Sequence, residues 1–324
     1  MKKLISLFLA AVLLFGSTLV LPASAEPQEE QREEPAVSEV YLNVSAHMTV
    51  LFLVEAPEGT ESAGLMIEGK RVIGELQEDG RWLVSYAPIY CHQMTDILTV
   101  QPWSYTDHRL LSGDHYDFSV VDYAMRLLSE PQIDPKLRTL LVAMLNYGAA
   151  TQDYFSHNPY NKANAYLSPA DRAVKEKTYT AKLEHFEDGE LEGVSFYGAS
   201  LSLSQYLMFN FIINCEGAAY DGDQCRLQVS TSPDFSVTAS YPLLDYKDGR
   251  FYARTDEIPY ESLGERVYVR VIAPNGQCSE AISYSVEVYA GNIMEKVTDP
   301  NDLRITLIHS MMAFSDALVA YKSR

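Results

Sequence analysis

The sequence predicts an α+β protein built from two tandem modules, each an antiparallel β-sandwich followed by an α-helical hairpin. Three observations predict this class. Short segments of alternating polar and apolar residues are separated by turn signals, residues 119–155 have helical periodicity, and residues 285–321 carry a second copy of that helical pattern. A chain of 324 residues is long enough for two modules that each bury a core of their own.

The first 25 residues predict a signal peptide. Lys2 and Lys3 precede a long apolar run, and Ala23-Ser24-Ala25 fits the small-residue site of signal peptidase. Residues 26–37 are charged and contain proline, which predicts a disordered linker. The mature protein is therefore expected to be either secreted or loosely associated with the cell surface, with no membrane span after cleavage of the signal.

The mature composition is strongly acidic. Removal of residues 1–25 leaves 23 basic residues against 44 acidic ones, a net charge of −21. Such a surface repels phosphate backbones, so the composition excludes nucleic acid as the expected partner. An acidic shell also keeps a secreted protein soluble, and this is the simpler interpretation of the charge.

Residues 38–118 carry the period-two pattern of strands. Segments 40–44 and 48–54 alternate apolar and polar residues, and turn signals at Glu68-Gly69-Lys70 and Glu78-Asp79-Gly80 separate the segments that follow. Short strands with turns at this spacing are typical of a small sandwich. The same theme recurs from residue 191 to residue 284.

Residues 119–155 predict two helices joined by a short turn. Apolar residues from Val120 onward repeat at helical spacing behind Ser119, a residue type that caps helices, and Glu130-Pro131 ends the first helix. Pro135 suits the first turn of the second helix. One face of that helix is formed by residues spaced three or four apart, namely Leu137, Leu141, Met144, Gly148, Thr151 and Phe155.

A gap-free offset of 166 positions relates the two helical segments. It aligns Ser119 with Ser285, Tyr123 with Tyr289 and Leu141 with Leu307, and an offset of 169 aligns the strand region upstream. We therefore predict a duplicated unit. The predicted domains are module 1 at 38–167 (sandwich 38–118, hairpin 119–155), a linker at 168–190, and module 2 at 191–324 (sandwich 191–284, hairpin 285–321).

Three motifs of the first module are Met94-Thr95-Asp96, residues 119–124 (SVVDYA) and residues 143–150 (AMLNYGAA). With them the chain resembles the tandem modules of secreted and surface proteins from gut Firmicutes, each an immunoglobulin-like sandwich followed by a helical hairpin. The resemblance implies fold and location, and it implies no activity. The second module departs from the pattern, with Val288 in place of the aspartate and residues 309–314 in place of the Asn-Tyr-Gly run.

Two cysteines frame a predicted hairpin loop in the second module. Cys215 and Cys225 flank nine residues, so they form either a disulfide between neighbouring strands or two small buried thiols. Cys91 and His92 are neighbours in an extended segment and should point to opposite faces, which is a poor geometry for a nucleophile and its base.

Catalytic, metal and cofactor motifs are missing from the sequence. His108, Ser112, Asp114 and His115 lie around a predicted turn, and no G-x-S-x-G elbow occurs. The histidines show no zinc spacing, and Asp221-Gly222-Asp223 lacks the distal glutamate of an EF-hand, so an ordinary turn is expected there, with weak calcium binding as the alternative. We therefore predict no catalytic residue, no metal site and no cofactor.

Asn146, Tyr147 and Gly148 form the most distinctive local sequence. They are either a ligand site or a packing motif in which the small residue lets the hairpin approach its sandwich. The function expected from the whole sequence is a secreted, non-catalytic binding or adhesion protein that contacts an extracellular protein or glycan. The alternative is a secreted hydrolase with an unfamiliar active site.

Overall fold

The protein is α+β, and its strands form antiparallel sheets. The computed structural model describes residues 34–180, 182–204, 206–216, 218 and 220–323, and five α-helices lie within these residues. The chain divides into two compact units, one running to Ala173 and including the residues from Ala317, the other Val174–Asp316. The predicted signal peptide, residues 1–25, lies outside the described residues.

Two antiparallel sheets form the β-part of the first unit. The strands are β1 (Ala36–Val44), β2 (Met48–Glu55), β3 (Thr60–Ile67), β4 (Lys70–Ile73), β5 (Glu75–Leu76), β6 (Trp82–Ile89), β7 (Leu98–Thr106), β8 (Arg109–Ser112) and β9 (Tyr116–Phe118). One sheet has the order β1-β2-β6-β5. The other has the order β4-β3-β7-β8, and β9 also pairs with β7.

The core of this unit lies between the two sheets. On β1 the buried residues Val40, Leu42 and Val44 alternate with more exposed ones, as the period-two pattern predicts. The ring centroid of Phe52 on β2 lies 5.8 Å from that of Phe118 on β9, with the ring planes at 78°. Because β2 and β9 belong to different sheets, this edge-to-face pair joins the two layers.

The helices of the first unit are α1 (Val120–Leu128), α2 (Pro135–Phe155) and the short α3 (Pro169–Arg172). The Ser119 hydroxyl accepts the Asp122 backbone N–H at 3.0 Å, so Ser119 caps α1 as predicted. Asp134 caps α2 by accepting two backbone N–H groups, and Pro135 occupies its first position. The predicted bounds of the two long helices, 119–130 and 135–155, agree with the structure to within two residues.

The second unit also has two antiparallel sheets. Its strands are β10 (Glu184–Glu187), β11 (Ser195–Leu203), β12 (Leu207–Asn214), β13 (Arg226–Ser230), β14 (Ala239–Pro242), β15 (Leu244–Asp245), β16 (Arg250–Arg254), β17 (Val267–Ile272) and β18 (Ala281–Tyr284). The sheet orders are β11-β12-β16-β15 and β10-β18-β17-β13-β14. Phe211 on β12 and Tyr284 on β18 join the two sheets, with ring centroids 5.8 Å apart at 72°.

Two helices follow β18, namely α4 (Val286–Lys296) and α5 (Leu303–Lys322). The Ser285 hydroxyl caps α4 by accepting the Val288 N–H at 3.3 Å. By length and composition alone α5 could cross a membrane, whereas the sequence led us to expect no such segment beyond the signal. Half of its most apolar window is buried inside the protein, so packing in the core accounts for its apolar character.

The structure places regular elements in part of each predicted linker, and residues 26–33 of the first lie outside the described residues. Ala36 and Val37, at the end of the predicted 26–37 linker, already pair with β2. The predicted 168–190 linker contains α3 and β10, and β10 pairs with β18 at the edge of a sheet. Every residue of β10 is exposed, so this edge strand carries no alternating pattern that the sequence could reveal.

Candidate functional site

The Met94-Thr95-Asp96 motif packs against the C-terminal half of α2. The Thr95 hydroxyl accepts from Gln152 Nε2 at 2.9 Å and from Asn158 Nδ2 at 3.1 Å. The carbonyl oxygen of Met94 accepts the Val121 N–H at 3.0 Å, which ties the same turn to α1. Residues 94–96, far from both helices in sequence, therefore hold the hairpin on the sheets.

Gln152 is the centre of this contact, and its side chain is fully buried. Its Nε2 also donates to the Asn161 carbonyl oxygen at 3.0 Å, and its Oε1 accepts the Ala163 N–H at 2.8 Å. The amide thus fastens the segment after α2 to the turn at Thr95. Sequence reasoning missed Gln152, although a polar residue four positions after Gly148 on a buried face is a signal that could have found it.

The structure buries all three residues of the Asn146, Tyr147 and Gly148 motif. Asn146 Nδ2 donates to the Asp171 carbonyl oxygen at 2.8 Å, and its Oδ1 accepts from Asn164 Nδ2 at 2.9 Å. Tyr147 is 4% exposed, and burial raises the pKa of its hydroxyl well above the usual range. These contacts favour the packing interpretation of the motif over the ligand interpretation.

At the end of α2 the chain turns sharply. Ser156 adopts a left-handed conformation with φ of 55°, and the His157 N–H donates back to the Gln152 carbonyl oxygen at 2.9 Å. This is the geometry of a Schellman-type helix end. It places the ring of His157 beside that of His92, which lies in the 3₁₀ turn Cys91–Gln93 that follows β6.

A cluster of rings and one carboxylate forms there, and we name Tyr90, His92, Asp96, Phe155 and His157 the His92 patch. The rings of Tyr90 and His92 are parallel within 4°, with centroids 5.9 Å apart. The His92 ring lies 5.2 Å from that of Phe155 and 5.0 Å from that of His157. Phe155, at the end of the predicted helical face, is 37% exposed, so the patch reaches solvent.

The carboxylate of the patch is paired with an imidazole. His157 Nε2 lies 3.0 Å and 3.1 Å from the two oxygens of Asp96, and both side chains are partly exposed. Partial burial lowers the pKa of His92 below its ordinary 6.5, the nearby His157 lowers it further, and Asp96 opposes the change. His92 is therefore a neutral ring at physiological pH.

The lowered pKa of His92 predicts a pH-dependent term in the stability of the first unit. The unfolded chain binds a proton at the ordinary pKa and the folded protein only at a lower pH, so this contribution is present above 6.5 and is lost as pH falls through the folded pKa. We expect the difference in unfolding free energy between wild type and His92→Gln to shrink between about pH 7.5 and about pH 5.5. Urea titrations at both pH values measure it, and a difference independent of pH would contradict the assignment.

The His92 patch presents aromatic rings, an imidazole and a carboxylate that are partly exposed to solvent. Its His157–Asp96 pair resembles two members of a hydrolytic triad, but the thiol nearest in sequence, Cys91, is only 5% exposed. In the described part of the chain, no group of three or more histidine, cysteine, aspartate or glutamate side chains converges well enough to hold a metal ion.

The structure does not assemble the residues around Ser112 into a catalytic set. His108 lies at the tip of the β7–β8 hairpin, 3.9 Å from Glu61, whereas Ser112 is opposite Trp103 at the far end of β8. Four residues of strand separate them by roughly 13 Å. Asp114 and His115 line a separate open cleft of about 450 Å³.

Cys215 follows β12 and Cys225 precedes β13, and these strands belong to different sheets. The predicted hairpin loop is therefore wrong, because the connection crosses from one sheet to the other. Both are free thiols in the structure. Burial raises the pKa of Cys215 to about 11, helped by the nearby Cys225, and burial also raises the pKa of Cys225. The disulfide between them stays a prediction, which intact mass under non-reducing conditions would test.

The Asp221-Gly222-Asp223 run forms a 3₁₀ turn that precedes β13, with Gly222 packed against the ring of Phe251. A separate open cleft of about 310 Å³ lies in the same unit, and its lining includes Asp256, Glu257 and Glu265. Tyr241 donates to Asp256 Oδ2 at 2.9 Å beside it. The turn at Asp221–Asp223 agrees with the expected ordinary turn, and sequence reasoning did not find the cleft.

Comparison of the sequence with family models and with curated proteins gives no match.

Proposed function

We propose that this protein is a secreted, non-catalytic binding or adhesion protein, and that it contacts its extracellular partner through the His92 patch. The observation that carries the proposal is the partly exposed group of rings at His92, held in place by the buried network around Gln152. Rigid aromatic side chains give contact area at low entropic cost, because few torsions must be fixed on binding. The predicted signal peptide supports the extracellular location.

We also propose that the two units are duplicated immunoglobulin-like modules related to those of gut Firmicutes surface proteins. The order β1-β2-β6-β5 in one unit recurs as β11-β12-β16-β15 in the other. The cross-sheet pair Phe52–Phe118 recurs as Phe211–Tyr284, and Phe118 and Tyr284 are related by the offset of 166. Matching strand order, matching core aromatics and matching serine caps support one ancestral unit.

Only the first module has the residues that form the His92 patch, so only this module would bind through it. At the offset of 169, Glu261 takes the position of His92, and at 166 Ser323 takes that of His157. Phe314 replaces Gly148, and its ring lies 5.1 Å from that of Tyr260, which replaces Cys91. The second module thus fills the corresponding contact with two large rings and lacks the histidines, as expected for a spacer.

The chemistry of the patch fits a neutral glycan best. Small-ligand sites combine apolar rings with a few fixed polar groups, and here Asp96 and His157 offer such groups beside the rings. A sugar ring presents C–H groups on its face and hydroxyls around its edge, so one residue of a glycan can use both. The mature charge of −21 repels sulfated or sialylated chains.

We expect Phe155→Ala to weaken binding to neutral oligosaccharides about tenfold, since one exposed ring contact is worth roughly 1.4 kcal/mol. The measurement is binding of the mature protein to an array of immobilised neutral oligosaccharides. The matched control is Ile73→Ala, which removes an exposed apolar side chain on β4, 68% exposed, and should change nothing. Equal binding by wild type and Phe155→Ala would remove the patch from the proposal, and capture of a protein instead would reassign the partner.

The His157–Asp96 pair favours a second candidate, the secreted hydrolase. A carboxylate that orients an imidazole is the arrangement that activates a hydroxyl or water in acyl transfer. Turnover of peptide, ester or glycosidic substrates by the purified protein, lost in His157→Asn and retained in His108→Asn, would establish it. Binding without turnover supports the non-catalytic function.

A further inference from the structure

We propose that His309 is a pH-sensitive latch that holds residues 174–180 against the helices of the second unit when neutral and releases them when protonated. The inference concerns a segment and a helix that take no part in the His92 patch. It therefore stands or falls independently of the proposed function.

The described residues between α3 and β10 have no regular secondary structure, so side-chain contacts must hold this segment in place. The backbone N–H of Lys177 donates to His309 Nδ1 at 3.3 Å. The ring of Tyr179 stacks on the imidazole, with centroids 5.8 Å apart and planes at 29°. His309 is 8% exposed and Tyr179 is 9% exposed, so the pair is buried as one contact.

The ion pairs of Lys177 also lie at this contact, but they contribute little to its stability. Lys177 Nζ lies 3.5 Å from Glu287 on α4 and 3.6 Å from Asp316 on α5, and it approaches the Tyr179 ring at 5.9 Å. The Lys177 side chain is about half exposed, and exposed ion pairs contribute little because water screens them. The imidazole is therefore the anchor of the segment.

The hydrogen bond requires a particular protonation state. Nδ1 can accept the Lys177 N–H only when the single ring proton is on Nε2. If Nδ1 is also protonated, its N–H faces the Lys177 N–H, and the hydrogen bond is lost. Tyr179 does not titrate in the same range, because burial raises its pKa to about 12. Glu176, Lys177, Glu287 and Asp316 are the other charged groups of the contact, and the carboxylates of Glu287 and Asp316 face the Lys177 ammonium.

The direction of the pH effect follows from the environment of the ring. Burial lowers the pKa of docked His309 below the ordinary 6.5, and Glu176 only partly opposes this. The released imidazole binds a proton at its ordinary pKa, so docking is strongest above 6.5 and weakens as pH falls through the docked pKa. Each pKa unit between the two states changes the docking equilibrium about tenfold.

Hydrogen exchange of the full chain tests the latch. Peptides covering 174–180 should be protected at about pH 7.5 and should lose protection at about pH 5, after correction for intrinsic exchange rates, by about tenfold per pKa unit. In His309→Phe, which keeps a ring but neither accepts nor titrates, the protection should no longer depend on pH. His92→Gln removes the other histidine with a lowered pKa and should leave the response intact.

Protection of 174–180 that is the same at both pH values in the wild type would overturn the proposal. So would a pH response that persists in His309→Phe. If that variant fails to fold, the wild-type series still decides, because the latch requires the loss of protection to follow protonation of His309 in a histidine titration by NMR.

Discussion

Gly148→Leu is expected to lower the free energy of unfolding of the first unit by about 3 kcal/mol. A Cβ atom at this position would lie 2.5 Å from Met94 Sδ, 2.9 Å from Ala163 Cβ and 3.3 Å from the Cys91 carbonyl oxygen. Two of these separations are shorter than real Cβ contacts, so the helix or its neighbours must move. Leucine gains roughly 0.8 kcal/mol of helix propensity over glycine, which the overpacking outweighs.

Tryptophan fluorescence isolates the effect, because the only two tryptophans of the sequence, Trp82 and Trp103, lie in the first unit and are both buried. Selective excitation in a urea titration therefore follows unfolding of this unit within the full chain. Gly264→Ala is the control, since nothing lies within 4 Å of its added Cβ, and it should leave the tryptophan transition unchanged. A midpoint for Gly148→Leu equal to or above that of wild type would show that the close contact does not exist.

Gln152→Leu is also expected to lower the free energy of unfolding of the first unit by about 3 kcal/mol, because it removes buried hydrogen bonds. The substitution keeps the side-chain volume similar but leaves the buried Ala163 N–H without its acceptor and removes the donor to Thr95. A buried polar group without a partner costs about 1–3 kcal/mol, and the lost hydrogen bonds add to this. The segment after α2 should also become more accessible, because the amide fastens it.

The matched control is Gln77→Leu, in the same unit. The Gln77 amide makes an exposed hydrogen bond to the Glu75 carbonyl oxygen, so water replaces it at little cost, within about 0.5 kcal/mol. Both variants are followed by the same tryptophan signal. A Gln152→Leu protein as stable as Gln77→Leu would mean that the hydrogen bonds of Gln152 contribute nothing net. Loss of glycan binding in Gln152→Leu at a temperature where it stays folded would connect the network to the patch.

Gly148→Leu and Gln152→Leu perturb the same interface. The first acts on its apolar packing and the second on its hydrogen bonds. Gly148 lets α2 approach the turn at Cys91, and Gln152, one helical turn later, makes the hydrogen bonds that fix the same approach. The His92 patch lies at the C-terminal end of α2. The buried contact at Gly148 and Gln152 therefore also restricts the motion of the rings in the patch. This is why stability and binding should be measured on the same variants.

The sequence by itself determined the elements with strong local signals. The helices 120–128 and 135–155 are encoded by apolar residues at helical spacing, by Ser119 as a cap and by Pro135 at the first position, all of which act over a few residues. The strands with one buried face were likewise predictable from alternation. The edge strand β10 was not, because all its residues are exposed and its pairing with β18 depends on residues about 100 positions away.

Only the tertiary structure decided which side chains meet. His92 and His157 are 65 positions apart in sequence, and they come together because β6 ends where α2 ends and Ser156 turns the chain back. The neighbour that the sequence did offer, Cys91, is turned inward beside Tyr147. Likewise, the sequence predicts a linker at residues 174–180. In the structure His309, 132 positions after Lys177, accepts a hydrogen bond from this segment. Local periodicity determines where a helix begins and ends. The site depends on how turns that are distant in sequence pack together, and no short stretch of the chain contains that information.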